Sequence, residues 1–160
     1  MSENLRKMIA LADEVFDARN DPDQLNVTPK VMEQLQSIHP STLSETIVDD
    51  GPVCWVLLIP SSIQTMQKFL DRKIHENEIL ESSVNENHFE AIYLCSALVL
   101  PEFRNQGIAL RSALQSIKEI QVSFKITCLY SWPFSKEGKL LSEKLSAKIH
   151  LPLHILEGNK

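Results

Sequence analysis

Apolar residues at Leu5, Met8, Ile9, Ala12, Val15 and Phe16 recur every three or four positions, which predicts an amphipathic helix from about Ser2 to Arg19. Asn20-Asp21-Pro22-Asp23 breaks that pattern. Thr28-Pro29 then reads as an N-cap with proline at the first helical position, opening a second helix that stops before Pro40. From there the period shortens. Ser44 to Val48 reads as a strand, Asp49-Asp50-Gly51-Pro52 as a turn, and the unbroken apolar run Val53 to Ile59 as a strand buried on both faces, so the pair predicts a hairpin. After Pro60-Ser61-Ser62, helical spacing returns at Ile63, Met66, Phe69, Leu70 and Ile74, a third helix reaching about His75. A polar loop, Asn85 to His88, precedes another apolar strand, Phe89 to Val99.

Beyond that strand, Leu110, Ala113, Leu114, Ile117 and Gln121 mark the inner face of a helix. Phe124, Ile126, Cys128 and Tyr130 alternate with Lys125, Thr127 and Leu129 as a further strand. A strand-helix-strand unit of this kind predicts two parallel neighbours joined by a right-handed crossover. Trp132-Pro133 ends it, Ser135 is a candidate N-cap for a helix to about Lys148, and Leu151, Leu153 and Ile155 form one short terminal strand. With 160 residues, 43% of them hydrophobic, the chain can bury one core. The expectation is a single α/β domain over residues 1–160, a mixed twisted sheet with helices on both faces.

Candidate chemistry gathers where the strand ending at Val99 turns into the next helix, through Pro101-Glu102-Phe103-Arg104-Asn105-Gln106-Gly107-Ile108-Ala109. At a helix start the first N–H groups have no intrahelical partner and the helix dipole adds partial positive charge, so anions settle there. Gly107 lacks a Cβ, which lets a diphosphate approach the main chain, and Ala109 keeps the next position small. Neither Gly-x-x-x-x-Gly-Lys nor Gly-x-Gly-x-x-Gly occurs, which removes support from the common nucleotide folds. The plain alternative is a strand-to-helix turn in which Gly107 only relieves crowding.

Val99-Leu100-Pro101-Glu102-Phe103-Arg104-Asn105-Gln106-Gly107-Ile108-Ala109 resembles the Val-x-Pro-x-aromatic-Arg-x-x-Gly-x-Gly/Ala pattern of the GNAT family of acyl-coenzyme A N-acyltransferases. Downstream, Ser135-Lys136-Glu137-Gly138 through Ser142-Glu143-Lys144-Leu145-Ser146-Ala147 resembles the helix in which that family carries Asn-x-x-Ala and then Tyr-Glu-Lys-Leu-Gly-Phe. The likeness runs from about Phe89 to Ala147. It implies a GNAT-like fold, an acyl-coenzyme A co-substrate, most simply acetyl-coenzyme A, and a small-molecule or peptide amine as acceptor. Three departures stand out. A first strand before the paired helices is missing, a helix from about Ser61 to His75 occupies the place of a tight hairpin, and the closing pair of strands shrinks to one.

By this resemblance, backbone groups of Leu98, Val99 and Leu100 pair with the pantetheine arm, and the main chain of Arg104, Asn105, Gln106, Gly107, Ile108 and Ala109 takes the pyrophosphate. Arg104 reads either as added positive charge or as a solvated surface residue. Acyl transfer needs proximity, oxyanion stabilisation, a base for the amine and an acid for the leaving thiolate. Ser142 aligns with the tyrosine that serves as the acid, and a serine hydroxyl is a far poorer acid than a phenol. Tyr130 is the substitute acid, or a core aromatic; Glu90 is the base, acting through water, or an exposed strand-end carboxylate. The rival to an enzyme is a binding or protein-interaction module that keeps the cofactor cleft without turnover.

Charge and the remaining reactive residues narrow the field. A formal charge of -5 with scattered Lys and Arg argues against a nucleic-acid partner. No apolar run is long enough for a membrane span and the start of the chain lacks a secretory pattern, which leaves the cytoplasm as the expected compartment. Cys54, Cys95 and Cys128 sit in separate apolar runs as buried thiols rather than nucleophiles. His39, His75 and His88 fall at element ends, and Pro152 between His150 and His154 argues against helical metal-ligand spacing, so no metal is expected. Lys136 and Lys139 either reach the cofactor's 3′-phosphate or face solvent, and Trp132 either caps the pantetheine channel or packs under its loop. Acceptor, acyl length and oligomeric state are not legible.

Overall fold

The computed structural model describes residues 2–19 and 25–158, the side chains of 16–19 excepted. The break expected at Asn20-Asp21-Pro22-Asp23 and the Phe16 side chain lie outside the described residues. The chain runs α1 (Glu3–Arg19), α2 (Pro29–Ile38), β1 (Leu43–Val48), β2 (Gly51–Ser61), α3 (Ile63–Leu70), α4 (Glu76–Val84), β3 (Ala91–Val99), α5 (Ile108–Ser123), β4 (Cys128–Ser131), α6 (Lys136–Ile149) and β5 (Leu153–Ile155). It is an α/β domain with an open five-stranded mixed sheet in the order β1-β2-β3-β4-β5. β1, β2 and β3 pair antiparallel, whereas β3–β4 and β4–β5 are parallel. The helix α5 makes the crossover that a parallel β3–β4 pair requires.

Alternation along the strands divides the core in two. Val56, Leu58, Ile92 and Leu129 point to one face and pack with Met8 of α1, Ala113, Ile117 and Ile120 of α5, and Leu145 of α6. Leu57, Ile59, Tyr93 and Tyr130 point to the other, against Leu35 of α2, Met66 and Phe69 of α3, and Ile79 and Leu80 of α4. Each fully buried Leu, Ile or Met side chain contributes about 1.5–3 kcal/mol of transfer free energy, so the strands of the sheet centre are fixed in register by both layers.

Several boundaries differ from expectation, two of them for identifiable local reasons. The predicted third helix is two: α3 stops at Leu70, Arg72 takes a positive φ of 59°, and α4 restarts after His75, whose N–H donates to Glu78 Oε1 at 3.0 Å. The strand predicted from Phe124 begins at Cys128, because α5 continues to Ser123 with Phe124 as its C-cap, its ring held edge-on by Phe89 at 4.9 Å. β2 is longer than expected at both ends, running through Pro52 and Pro60, and β3 starts at Ala91 rather than Phe89.

Candidate functional site

β3 and β4 are paired only over Ala91–Leu94 and Cys128–Ser131. β4 then stops at Trp132-Pro133, since proline has no N–H for a ladder, while β3 continues to Val99 without a neighbour on that side. The register of β3 against β2 also slips between Leu57 and Leu58, leaving Cys95 as the extra residue of a bulge. A bulge bends its strand, and here the bend falls where the two parallel strands part. The result is a notch in the sheet. Leu100 donates its N–H to Val53 O of β2 at 2.9 Å, so alternation turns the N–H groups of Ala97 and Val99 toward the notch.

The turn beyond β3 is shaped to leave its main chain bare. Pro101–Phe103 forms a short 3-10 turn, Asn105 and Gly107 take positive φ of 64° and 74°, and α5 begins at Ile108. Gly107 caps α5 without a side chain, and no acidic residue stands in the first turn. The N–H groups of residues 105–110 take no partner among the described residues, and Arg104, Asn105, Gln106 and Gly107 are exposed. Unpartnered N–H groups and the positive helix end therefore face solvent together, an arrangement with affinity for anions. Two arginines brace the loop: Arg104 Nε donates to Val99 O at 3.1 Å, and Arg111 Nη1 to Gln106 O at 2.8 Å. A Cβ on Gly107 would lie 3.0 Å from that Arg111 Nη1.

Notch and turn open into one cleft of about 710 Å³. Its floor is Leu94–Val99, one wall is α5 with Ile108, Ala109 and Ala113, the other is α6 with Gly138, Leu141, Ser142 and Leu145, and Leu11 and Val15 of α1 lean over it. Of the residues proposed to hold a cofactor, Leu98, Val99, Arg104, Asn105, Gly107, Ile108 and Ala109 line the cleft. Leu100 and Gln106 do not. Leu100 is buried with its N–H spent on β2, and the carbonyl of Gln106 is held by Arg111.

The residues proposed for acid-base work are not brought together. Glu90 sits before β3, its Oε1 3.2 Å from His88 Nε2, and at about 3.3 Å per strand residue it stands roughly 13 Å from Leu94, where the cleft begins. Tyr130 is fully buried on the α3 side of the sheet. Ser61 Oγ donates to Ser62 O at 3.1 Å, so the 2.7 Å bond between Tyr130 and Ser61 has the phenol donating. Burial holds the Tyr130 hydroxyl well above the usual phenol range. Ser142 does line the cleft, yet its single proton goes to Gly138 O at 3.0 Å, which makes Ser131 the donor in their 3.1 Å contact.

Other sequence candidates resolve as follows. Trp132 lines the cleft and meets Phe69 edge-on, ring centroids 5.9 Å apart. Lys139 pairs with Glu157 at 3.8 Å, and neither it nor Lys136 lines the cleft. Glu137 and Lys144 do, about two helical turns apart, a spacing readable from the sequence once the cleft-facing side of α6 is known. The three cysteines are buried and form no disulfide among the described residues; burial pushes the Cys54 thiol up to about 11 and raises Cys128. No group of three His, Cys, Asp or Glu among the described residues could hold a metal ion. Among them, too, no helix is long and apolar enough to cross a membrane. No protein-family model matches the chain, and no curated protein matches it at a significant level.

Proposed function

We propose that this chain is a GNAT-like acyltransferase that binds acyl-coenzyme A, most simply acetyl-coenzyme A, and passes the acyl group to a primary amine. The observation that carries the reading is the continuity of the split between β3 and β4 with the bare, exposed start of α5. An extended amide-bearing arm fits the first, and a diphosphate fits the second. The amine nitrogen would bond to the thioester carbonyl carbon as the carbon–sulfur bond breaks, with the thiolate taking up a proton. Binding both reactants in one cleft supplies the proximity term, which reaches about 7–11 kcal/mol in well-oriented systems. With Glu90 remote and Ser142 and Tyr130 already donating elsewhere, the described side chains leave deprotonation of the amine to solvent. Three buried cysteines that form no disulfide among the described residues fit work in a reducing compartment such as the cytoplasm.

Those same committed hydroxyls favour the second reading, a module that binds acyl-coenzyme A without turnover. Two measurements separate them. Under either reading, acetyl-coenzyme A at a hundredfold excess over its Kd stabilises the native state by about 2.7 kcal/mol, seen as a raised melting temperature. Thiol release across a panel of amines and peptides then accompanies binding in the enzyme and stays at background in the module. A melting temperature unmoved by millimolar ligand defeats both.

A further inference from the structure

Three helices end at one place. Ser37 and Ile38 close α2, Ser83 and Val84 close α4, and Phe124 caps α5; together with Glu86, Asn87 and Phe89 they line a cavity of about 200 Å³. It lies beyond the amino-terminal end of β3 and shares no lining residue with the cleft. The last carbonyls of each helix carry partial negative charge, equivalent to about half an electron, and cations near them are stabilising. Basic residues usually meet that need. Lys68 does so in the last turn of α3 and Lys148 in that of α6, but the last turns of α2, α4 and α5 have none.

Side chains add to the same sign. Glu86 Oε1 accepts from Thr65 Oγ1 at 3.1 Å, and its Oε2 takes no partner among the described residues. Among the described residues no Lys, Arg or His lines the cavity. His39, bonded through Nε2 to Ser123 Oγ at 3.1 Å, the exposed Lys125 and the His88–Glu90 pair stand beside the lining, not in it. Phe89 and Phe124, ring centroids 4.9 Å apart and nearly perpendicular, form the apolar side.

We propose that this cavity binds a primary alkylammonium group. Three N–H donors match the unpartnered Glu86 oxygen and the second lone pairs of helix-end carbonyls that already accept from Asn85 and Glu86 N–H groups, and the adjoining methylenes suit the phenylalanine rings, which also attract cations. A single carboxylate is a poor site for a hard divalent ion, which gathers several oxygen ligands. The proposal stands apart from the cleft reading, because it uses none of the same residues.

Butylammonium chloride is the probe, titrated into the full chain against KCl at equal ionic strength, with amide NMR shifts and melting temperature as readouts. The expected result is saturable shifts at Ser37, Ser83, Glu86 and Asn87 and a rise in melting temperature that KCl does not reproduce. Glu86→Gln, which keeps an acceptor for Thr65, should weaken binding at least tenfold. Ser37→Lys, at an exposed position, should raise the melting temperature by itself and abolish the butylammonium shifts. Shifts that are absent, equalled by KCl, or unchanged in both variants overturn the proposal, as does binding that vanishes in Gly107→Asp, which would place the ammonium in the cleft.

Discussion

One strand, β3, meets opposite conditions at its two ends. Over Ala91–Tyr93 it is sealed between β2 and β4, and the polar side chains around it are spent on one another: Tyr93 on the buried Glu76, Tyr130 on Ser61. Over Ala97–Val99 it is open on one side, and the polar atoms left over belong to the main chain. The Tyr93 and Tyr130 hydroxyls and the Glu76 carboxylate, which look chemical in the sequence, serve the core, while the bare polar surface of the cleft comes mainly from a strand end, a glycine turn and a helix start.

The largest expected effect tests the open end. Gly107→Asp puts a carboxylate at the bare turn; a unit charge roughly 5 Å from a diphosphate at an effective dielectric near 20 costs on the order of 3 kcal/mol, about a hundredfold in affinity for acetyl-coenzyme A. Gly107→Asn, of equal shape and equally tolerant of positive φ, should lose far less. Calorimetric titration of both variants checks this, and equal losses would mean that shape rather than charge is at work.

The closed end is sharpened by Tyr93→Phe, which removes a hydrogen bond from a buried carboxylate and should cost about 1.5–3 kcal/mol in urea unfolding while leaving acetyl-coenzyme A affinity intact. A comparable loss of affinity would join the two ends that the structure separates.

Alkaline pH probes the same end. Burial first, then the Glu76 charge, raises the Tyr93 phenol well above 10.0, and burial does the same to Tyr130. Above pH 10 the unfolded phenols ionise while the native ones keep their protons. The tyrosines' share of the stability is therefore complete below pH 10 and falls beyond it, by up to about 1.4 kcal/mol per pH unit for each, on top of the earlier loss from the raised Cys54 and Cys128 thiols. Tyr130→Phe should flatten that fall; an unaltered slope would clear the phenol of any part in it. The smallest effect belongs to Glu90→Gln, expected within about 0.5 kcal/mol in stability and without change in amine-dependent thiol release. A drop in that rate would restore Glu90 as the base.

Elements with one clean period were legible before the structure. α1, α2 and the core of β2 follow their apolar spacing, and the turn at Gly107 announced itself because glycine there follows a long apolar strand. α4 was not legible. Its buried face is Glu76, Ile79, Leu80 and Ser83, a helical pattern in which two of the four members are polar. Phe124 misled in the other direction, being apolar in an alternating run but serving as a helix cap. Seven of the nine residues named from the strand-helix junction line the cleft, whereas the places of Glu90, Tyr130 and Ser142 were not legible, since they depend on strand pairing and on which hydroxyl donates to which oxygen. Arg111 was overlooked because its task is to hold a carbonyl, which no residue pattern marks.

One guanidinium from each flank clasps the loop carrying Gly107, pinning the carbonyls of Val99 and Gln106. If the turn takes an anion, restraints already in place lower the chain entropy given up on capture, and affinity then reflects contacts more than the cost of ordering them.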